Sequence, residues 1–154
     1  MIKKLEDLGN RIAECLGIEA VPIEFGEIKE GSRLFLVPDV RIVINKRFSN
    51  DYFECAKAVV HELRPAFQIT WASLMDDEKA RRWRRELEGA PRFEDAIINS
   101  DNAMKDYFVQ DTELDAFAFT KYYLEEYEGL EVIHPSNLYE ELISKYLELN
   151  SNIL

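Results

Sequence analysis

The sequence predicts an α+β fold in which a small antiparallel sheet packs on a long central helix, with further helices on the C-terminal side. Three observations predict it. Apolar residues recur at helical spacing over residues 4–16, and they alternate with polar ones in three short runs between residues 21 and 44. Helical spacing returns in a long glycine-free run over residues 51–74 and persists in later stretches, so strands are confined to the N-terminal third.

The first helix is written in Leu5, Leu8, Ile12, Cys15 and Leu16, with Gly17 as its stop. Val21-Pro22-Ile23-Glu24-Phe25 then alternates as a strand, and Gly26 with Glu30-Gly31-Ser32 breaks the chain before a second strand over residues 33–37. Pro38-Asp39 is a turn dipeptide. Beyond it Val40, Ile42 and Ile44 share one face of a third strand, with Arg41 on the other. Ser49-Asn50 is placed to cap the central helix, which runs to about Leu74. Met75-Asp76-Asp77 breaks it ahead of a charged helix over residues 77–87, ended by Gly89 and Pro91. Residues 90–110 mix packable side chains (Phe93, Ile97, Ile98, Met104, Tyr107, Phe108) with the loop signal Asn99-Ser100-Asp101-Asn102, so short helix and loop are expected there. Asp111 or Thr112 is expected to cap an apolar helix that reaches Tyr127 and stops at Gly129. Asn137 and Glu140 have capping-box spacing before a last helix that turns Leu138, Leu142, Ile143, Tyr146 and Leu147 to the core.

A chain of 154 residues with 47% hydrophobic content suffices for one domain spanning residues 1–154. No apolar run approaches the roughly 20 residues that cross a bilayer, and the start turns acidic before an export signal could form. A cytoplasmic protein without membrane contact is the expectation. Cys15 and Cys55 are too few for a disulfide framework, and both lie in apolar-periodic stretches, so buried reduced thiols are expected. The net charge of −11 argues against nucleic acid as a partner, because phosphate binding draws on clustered cations. One basic run, Arg81-Arg82-Trp83-Arg84-Arg85, stands against that acidity. It reads as a solvated helix with Asp77–Arg81, Glu78–Arg82 and Arg82–Glu86 pairs and Trp83 tucked inward, or as a docking strip for an acidic partner or nucleic acid in which Arg81, Arg82, Arg84 and Arg85, with Trp83, are the anchors.

Chemistry concentrates in the central helix, where Ala58-Val59-Val60-His61-Glu62-Leu63-Arg64-Pro65-Ala66-Phe67-Gln68 puts one of two histidines beside a carboxylate in an apolar run. About fifty residues on comes Glu113-Leu114-Asp115-Ala116-Phe117-Ala118-Phe119, preceded far upstream by the strand end Ile42-Val43-Ile44-Asn45. Together these segments resemble the zincin-type metallopeptidases, in particular the compact bacterial and phage-derived branch, over roughly residues 20–125. In the H-E-x-x-H pattern of that family two histidines one helical turn apart share a zinc ion, and the Glu between them polarises metal-bound water. The resemblance implies a zincin-like fold, His61 and Glu113 as zinc ligands, Glu62 as general base toward a peptide or protein substrate, and Asp115 as an acceptor that holds a ligand in place.

The second histidine position holds Pro65. Proline offers no donor to a metal, so the resemblance implies zinc that is weakly held or absent and peptide hydrolysis that is impaired or absent. Its missing N–H also removes the bond to the His61 carbonyl, at about 3 kcal/mol in a helix interior, and favours a kink inside the site. Three origins stay open: a scaffold that lost its metal, a replacement ligand of which His134 is the remaining histidine, or an introduced single-base change from His to Pro. Without metal, His61 is expected to hydrogen-bond Glu113 or Asp115, and Glu62 to form a helix-face ion pair. The alternative function is non-catalytic: an acidic interaction or inhibitor protein, of the kind phages and mobile elements carry, that binds a protein partner.

Overall fold

A computed structural model describes residues 1–89, 110–133, 137–150 and 153. The element order is α1 (Ile2–Leu16), β1 (Ile23–Gly26), β2 (Ser32–Phe35), β3 (Arg41–Asn45), a short 3-10 turn (Lys46–Phe48), α2 (Tyr52–Leu74), α3 (Glu78–Gly89), α4 (Asp111–Tyr127) and α5 (Asn137–Leu149). The fold is α+β and mostly helical. The mixed helix-and-loop expectation for residues 90–109 and the replacement-ligand expectation for His134 lie outside the described residues.

The sheet is mixed, not antiparallel. Its order is β1-β3-β2: β2 and β3 form the expected antiparallel hairpin, whereas β1 runs parallel to β3, with Ile23 opposite Ile42 and Phe25 opposite Ile44. The physical reason is burial. Ile42, Val43 and Ile44 are all buried, so β3 is covered on both faces and takes the centre, while the more polar β1 and β2 lie on either side of it.

Helix α1 lays Leu5, Leu8, Ile12 and Leu16 on the core and ends where Gly17 turns left-handed at φ 66°, its N–H bonding to Glu14 O and that of Ile18 to Ala13 O. Cys15 lies at the edge of this stripe and is exposed, contrary to expectation. Cys55 is buried; its Sγ donates to Phe48 O at 3.1 Å, and burial pushes its pKa up to about 11. Helix α2 is capped by Asp51, whose Oδ1 accepts from Glu54 N at 3.1 Å, rather than by Ser49-Asn50. It runs on through Pro65 as one helix of 23 residues.

Val59, Val60 and Leu63 of α2 meet α1, the sheet and Phe119 of α4 in one core, which α5 closes with Ile143 and Tyr146. None of the described helices is long and apolar enough to cross a membrane.

Candidate functional site

The site lies between α2 and α4, which pack against each other. Residues 61, 64, 65 and 68 fall on one stripe of α2 by helical spacing, and residues 112, 113 and 115 on the opening turns of α4 face them. His61 and Glu113 come together: Nε2 lies 3.5 Å from Oε2, and each side chain is 19% exposed. That Glu113 oxygen is buried and makes no hydrogen bond, so the contact is one of charge rather than a formed bond. Phe117, one turn on, backs the imidazole with ring centroids 4.7 Å apart.

Burial alone would lower the His61 pKa. The contact and charge of Glu113, with the charge of Glu62, outweigh it and hold the imidazole above its ordinary value of 6.5.

Glu62 points elsewhere. Its Oε1 accepts from Ser32 Oγ at 2.8 Å and its Oε2 from Leu34 N at 2.9 Å, so both oxygens bind β2, and among the described residues it makes no ion pair of the helix-face kind. Burial raises its pKa against the opposing pull of His61 and of these two donors.

One turn further along the same stripe is a buried polar cluster built on Asp115, in which Arg64 Nη1 and Gln68 Oε1 make no hydrogen bond among the described residues. The Asp115 carboxylate accepts four bonds: Oδ2 from Arg64 Nε at 2.6 Å and Gln68 Nε2 at 2.8 Å, Oδ1 from Arg64 Nη2 and Tyr146 Oη, both at 3.0 Å. Gln68 Nε2 also reaches Thr112 O at 2.9 Å. The Arg64 and Asp115 side chains are 3% and 1% exposed, and the guanidinium lies between the rings of Phe67 and Phe119, 4.6 Å from each centroid. Burial, then the Asp115 charge, drives the Tyr146 phenol well above its ordinary pKa.

Asp115 was expected to steady a metal ligand. Its hydrogen bonds instead fasten α2 to α4 and α5. Arg64, Gln68 and Tyr146 were not singled out for this role; the one signal was an arginine in an apolar helical run, which needs a counter-charge where it is buried.

The basic run of α3 is ion-paired or hydrogen-bonded within the chain at three of its positions. Arg81 binds Asp76 (3.2 Å) instead of Asp77, because Asp77 Oδ1 caps the helix at Ala80 N (2.8 Å). Arg82 lies 3.7 Å from both Glu78 and Asp111, and Arg84 Nη1 donates to the carbonyls of Ala72 and Met75 at the end of α2. Arg85 is exposed. Trp83 is buried as expected, donating Nε1 to Asp111 Oδ2 at 2.7 Å. Glu86 does not pair with Arg82: it accepts from the backbone of α4, Oε1 from Asp111 N at 3.2 Å and Oε2 from Thr112 N at 2.9 Å. That helix has Gln110 at its N-cap with no side-chain bond, so the local cap expected from Asp111 or Thr112 is replaced by one from α3.

The donors themselves test the fit of a catalytic zinc, which takes three protein ligands and keeps a position for water. His61 and Glu113 supply two and Pro65 none, and both Glu62 oxygens are engaged. No cluster of three or more His, Cys, Asp or Glu suited to a metal occurs among the described residues. The described donors therefore do not fit such a zinc. Comparison of the chain with protein-family models, curated proteins and solved structures finds no match to any of the three.

Proposed function

We propose that this chain is a zincin-like metallopeptidase relative with an incomplete zinc site, in which peptide hydrolysis is impaired or absent. The observation that carries the reading is the meeting of His61 with Glu113 across α2 and α4, with Pro65 one helical turn after His61 where the pattern needs its third donor. The setting of Glu62 supports it: each of its oxygens accepts a bond from β2, so the carboxylate is tied to the sheet rather than held free beside His61. What the remaining residues do is structural. Glu62 ties the sheet to α2, and His61 partly neutralises Glu113.

The second reading is an acidic interaction protein on the same scaffold. It is favoured by the β2–β3 hairpin tip, where Leu36, Val37 and Val40 are exposed, Val37 to 78%. Apolar side chains so grouped on a chain of net charge −11 suit contact with a partner protein.

The two readings meet one test. Zinc content is measured after dialysis against excess metal and then buffer, for the unmodified chain and for Pro65→His. The incomplete-site reading expects no retained zinc in the first and about one per chain in the second, the stoichiometry of a completed three-ligand site. Adding Glu62→Gln to Pro65→His should then abolish any hydrolysis gained. Stoichiometric zinc in the unmodified chain would show a substitute ligand and sink the reading, with His134 the first residue to replace. A folded Pro65→His chain that takes no zinc would equally count against it.

A further inference from the structure

Glu113 stands in the first turn of α4, where a helix is least held. The first N–H groups of any helix lack partners within it, and in α4 the N-cap residue Gln110 supplies no side-chain bond. The first-turn N–H groups of Asp111 and Thr112 are instead both taken by one carboxylate from another helix, Glu86 of α3, at 3.2 and 2.9 Å. Trp83, one turn earlier on α3, adds its Nε1–H to Asp111 Oδ2 at 2.7 Å. A negative charge on these N–H groups also sits well with the positive end of the helix dipole.

Glu113 is the next residue along. Its Oε2 is buried, has no hydrogen bond and stays within 3.5 Å of His61 without a formed bond to hold it there. With no hydrogen bond of its own on that oxygen, the carboxylate depends on the setting of the helix turn that carries it.

We propose that Glu86 is a positioning residue: by capping α4 from α3 it sets the first turn of α4 and so keeps Glu113 opposite His61. Trp83 is the second anchor of the same brace. The significance of the pair as the remnant of a metal site rests on the function proposed above, whereas the positioning itself rests on the contacts alone.

The test reads the imidazole directly. Nitrogen-edited spectra of the His61 ring are recorded at one fixed pH for the unmodified chain, Glu113→Ala, Glu86→Ala and Glu86→Gln, with His134→Asn in the background so that only one histidine signal remains. Glu113→Ala defines the signal of a His61 that has lost its partner. Glu86→Ala should move the resonances toward that reference by at least half the distance, and Glu86→Gln, which keeps one good acceptor, by less. A brace that is merely structural would lower the melting temperature and leave the ring signal where it is. Unchanged His61 resonances in a folded Glu86→Ala chain would overturn the proposal. Zinc uptake by Pro65→His, with and without Glu86→Ala, separates it from the functional reading. If Pro65→His takes up zinc, Glu86→Ala should weaken the affinity by roughly tenfold or more, as loss of an outer-shell support does. If it takes none while the ring signal still responds to Glu86→Ala, the positioning stands and the metal reading falls.

Discussion

Helix α2 presents two polar pairs of positions to α4 with the same one-turn spacing, 61 with 65 and 64 with 68, and the two have met different fates. The second has a fully engaged carboxylate: Arg64 and Gln68 converge on Asp115, Tyr146 joins from α5, and Asp115 accepts four bonds in a buried setting, although Arg64 Nη1 and Gln68 Oε1 make no hydrogen bond. The first is open: His61 faces a Glu113 oxygen with no hydrogen bond, and Pro65 contributes nothing. The difference teaches that the bonds fastening these helices are made beside the catalytic-looking residues rather than by them. Position 65 can then hold a residue that bonds nothing across the helices and the fold is kept, because Asp115 holds α2, α4 and α5 together.

The largest effect expected follows from that division. Asp115→Ala leaves the Arg64 guanidinium buried without its counter-charge, and breaking a buried pair in this way costs about 3–5 kcal/mol. Glu113→Ala, on the partly exposed side of the comparison, should cost about 1 kcal/mol or less. Urea unfolding of the two variants measures both. Equal losses would mean that the open pair fastens the helices as much as the Asp115 cluster does, and the contrast would be lost.

Pro65 supplies the next test. It removes one α2 hydrogen bond yet the helix continues, so the fold carries a cost that the flanking packing outweighs. Pro65→Ala should therefore raise stability by about 1–3 kcal/mol, less than the full interior-proline penalty because the unfolded chain also gains freedom. A fall in stability would show that α2 is shaped to the proline ring. Position 65 would then be adapted to proline rather than merely tolerating it.

Much of this could be read from the chain, and the failures have physical reasons. Helix positions were legible because their apolar stripes and stops are local: Leu5 to Leu16 before Gly17, and the run that ends at Tyr127 before Gly129. The partner of β1 was misjudged because alternation says which face of a strand is buried and nothing about its neighbour. The one signal available was the apolar density of β3, which suits a central strand. The meeting of His61 with Glu113 followed from the resemblance. The engagement of Glu62 did not, since its donors lie 28 and 30 residues away on a strand whose approach to α2 no local pattern encodes. Glu86 was misassigned for a similar reason: i, i+4 spacing offered it Arg82, but the uncapped N–H groups of α4 are partly buried donors that need an acceptor more than an exposed arginine does.

The smallest expected effect is in the pH dependence, and it isolates the open pair. The folded His61 pKa lies above its ordinary value of 6.5, so the folded chain binds the proton more tightly than the unfolded one. The stabilisation from this group is complete below that ordinary value and is lost as pH rises through the folded pKa. Glu62 is shifted upward too, but its loss begins lower, from the ordinary carboxylate range. Repulsion within so acidic a chain adds a slope of its own, so the informative quantity is the difference between the unmodified chain and His61→Gln, followed by unfolding midpoints from pH 5 to 9. That difference should shrink as pH rises above 6.5. Asp115→Asn, if it folds, should leave the same trend in place, because the Asp115 cluster makes no contact with the imidazole among the described hydrogen bonds. A difference that grows with pH would mean that His61 is favoured neutral in the fold and that burial, rather than Glu113, decides its charge.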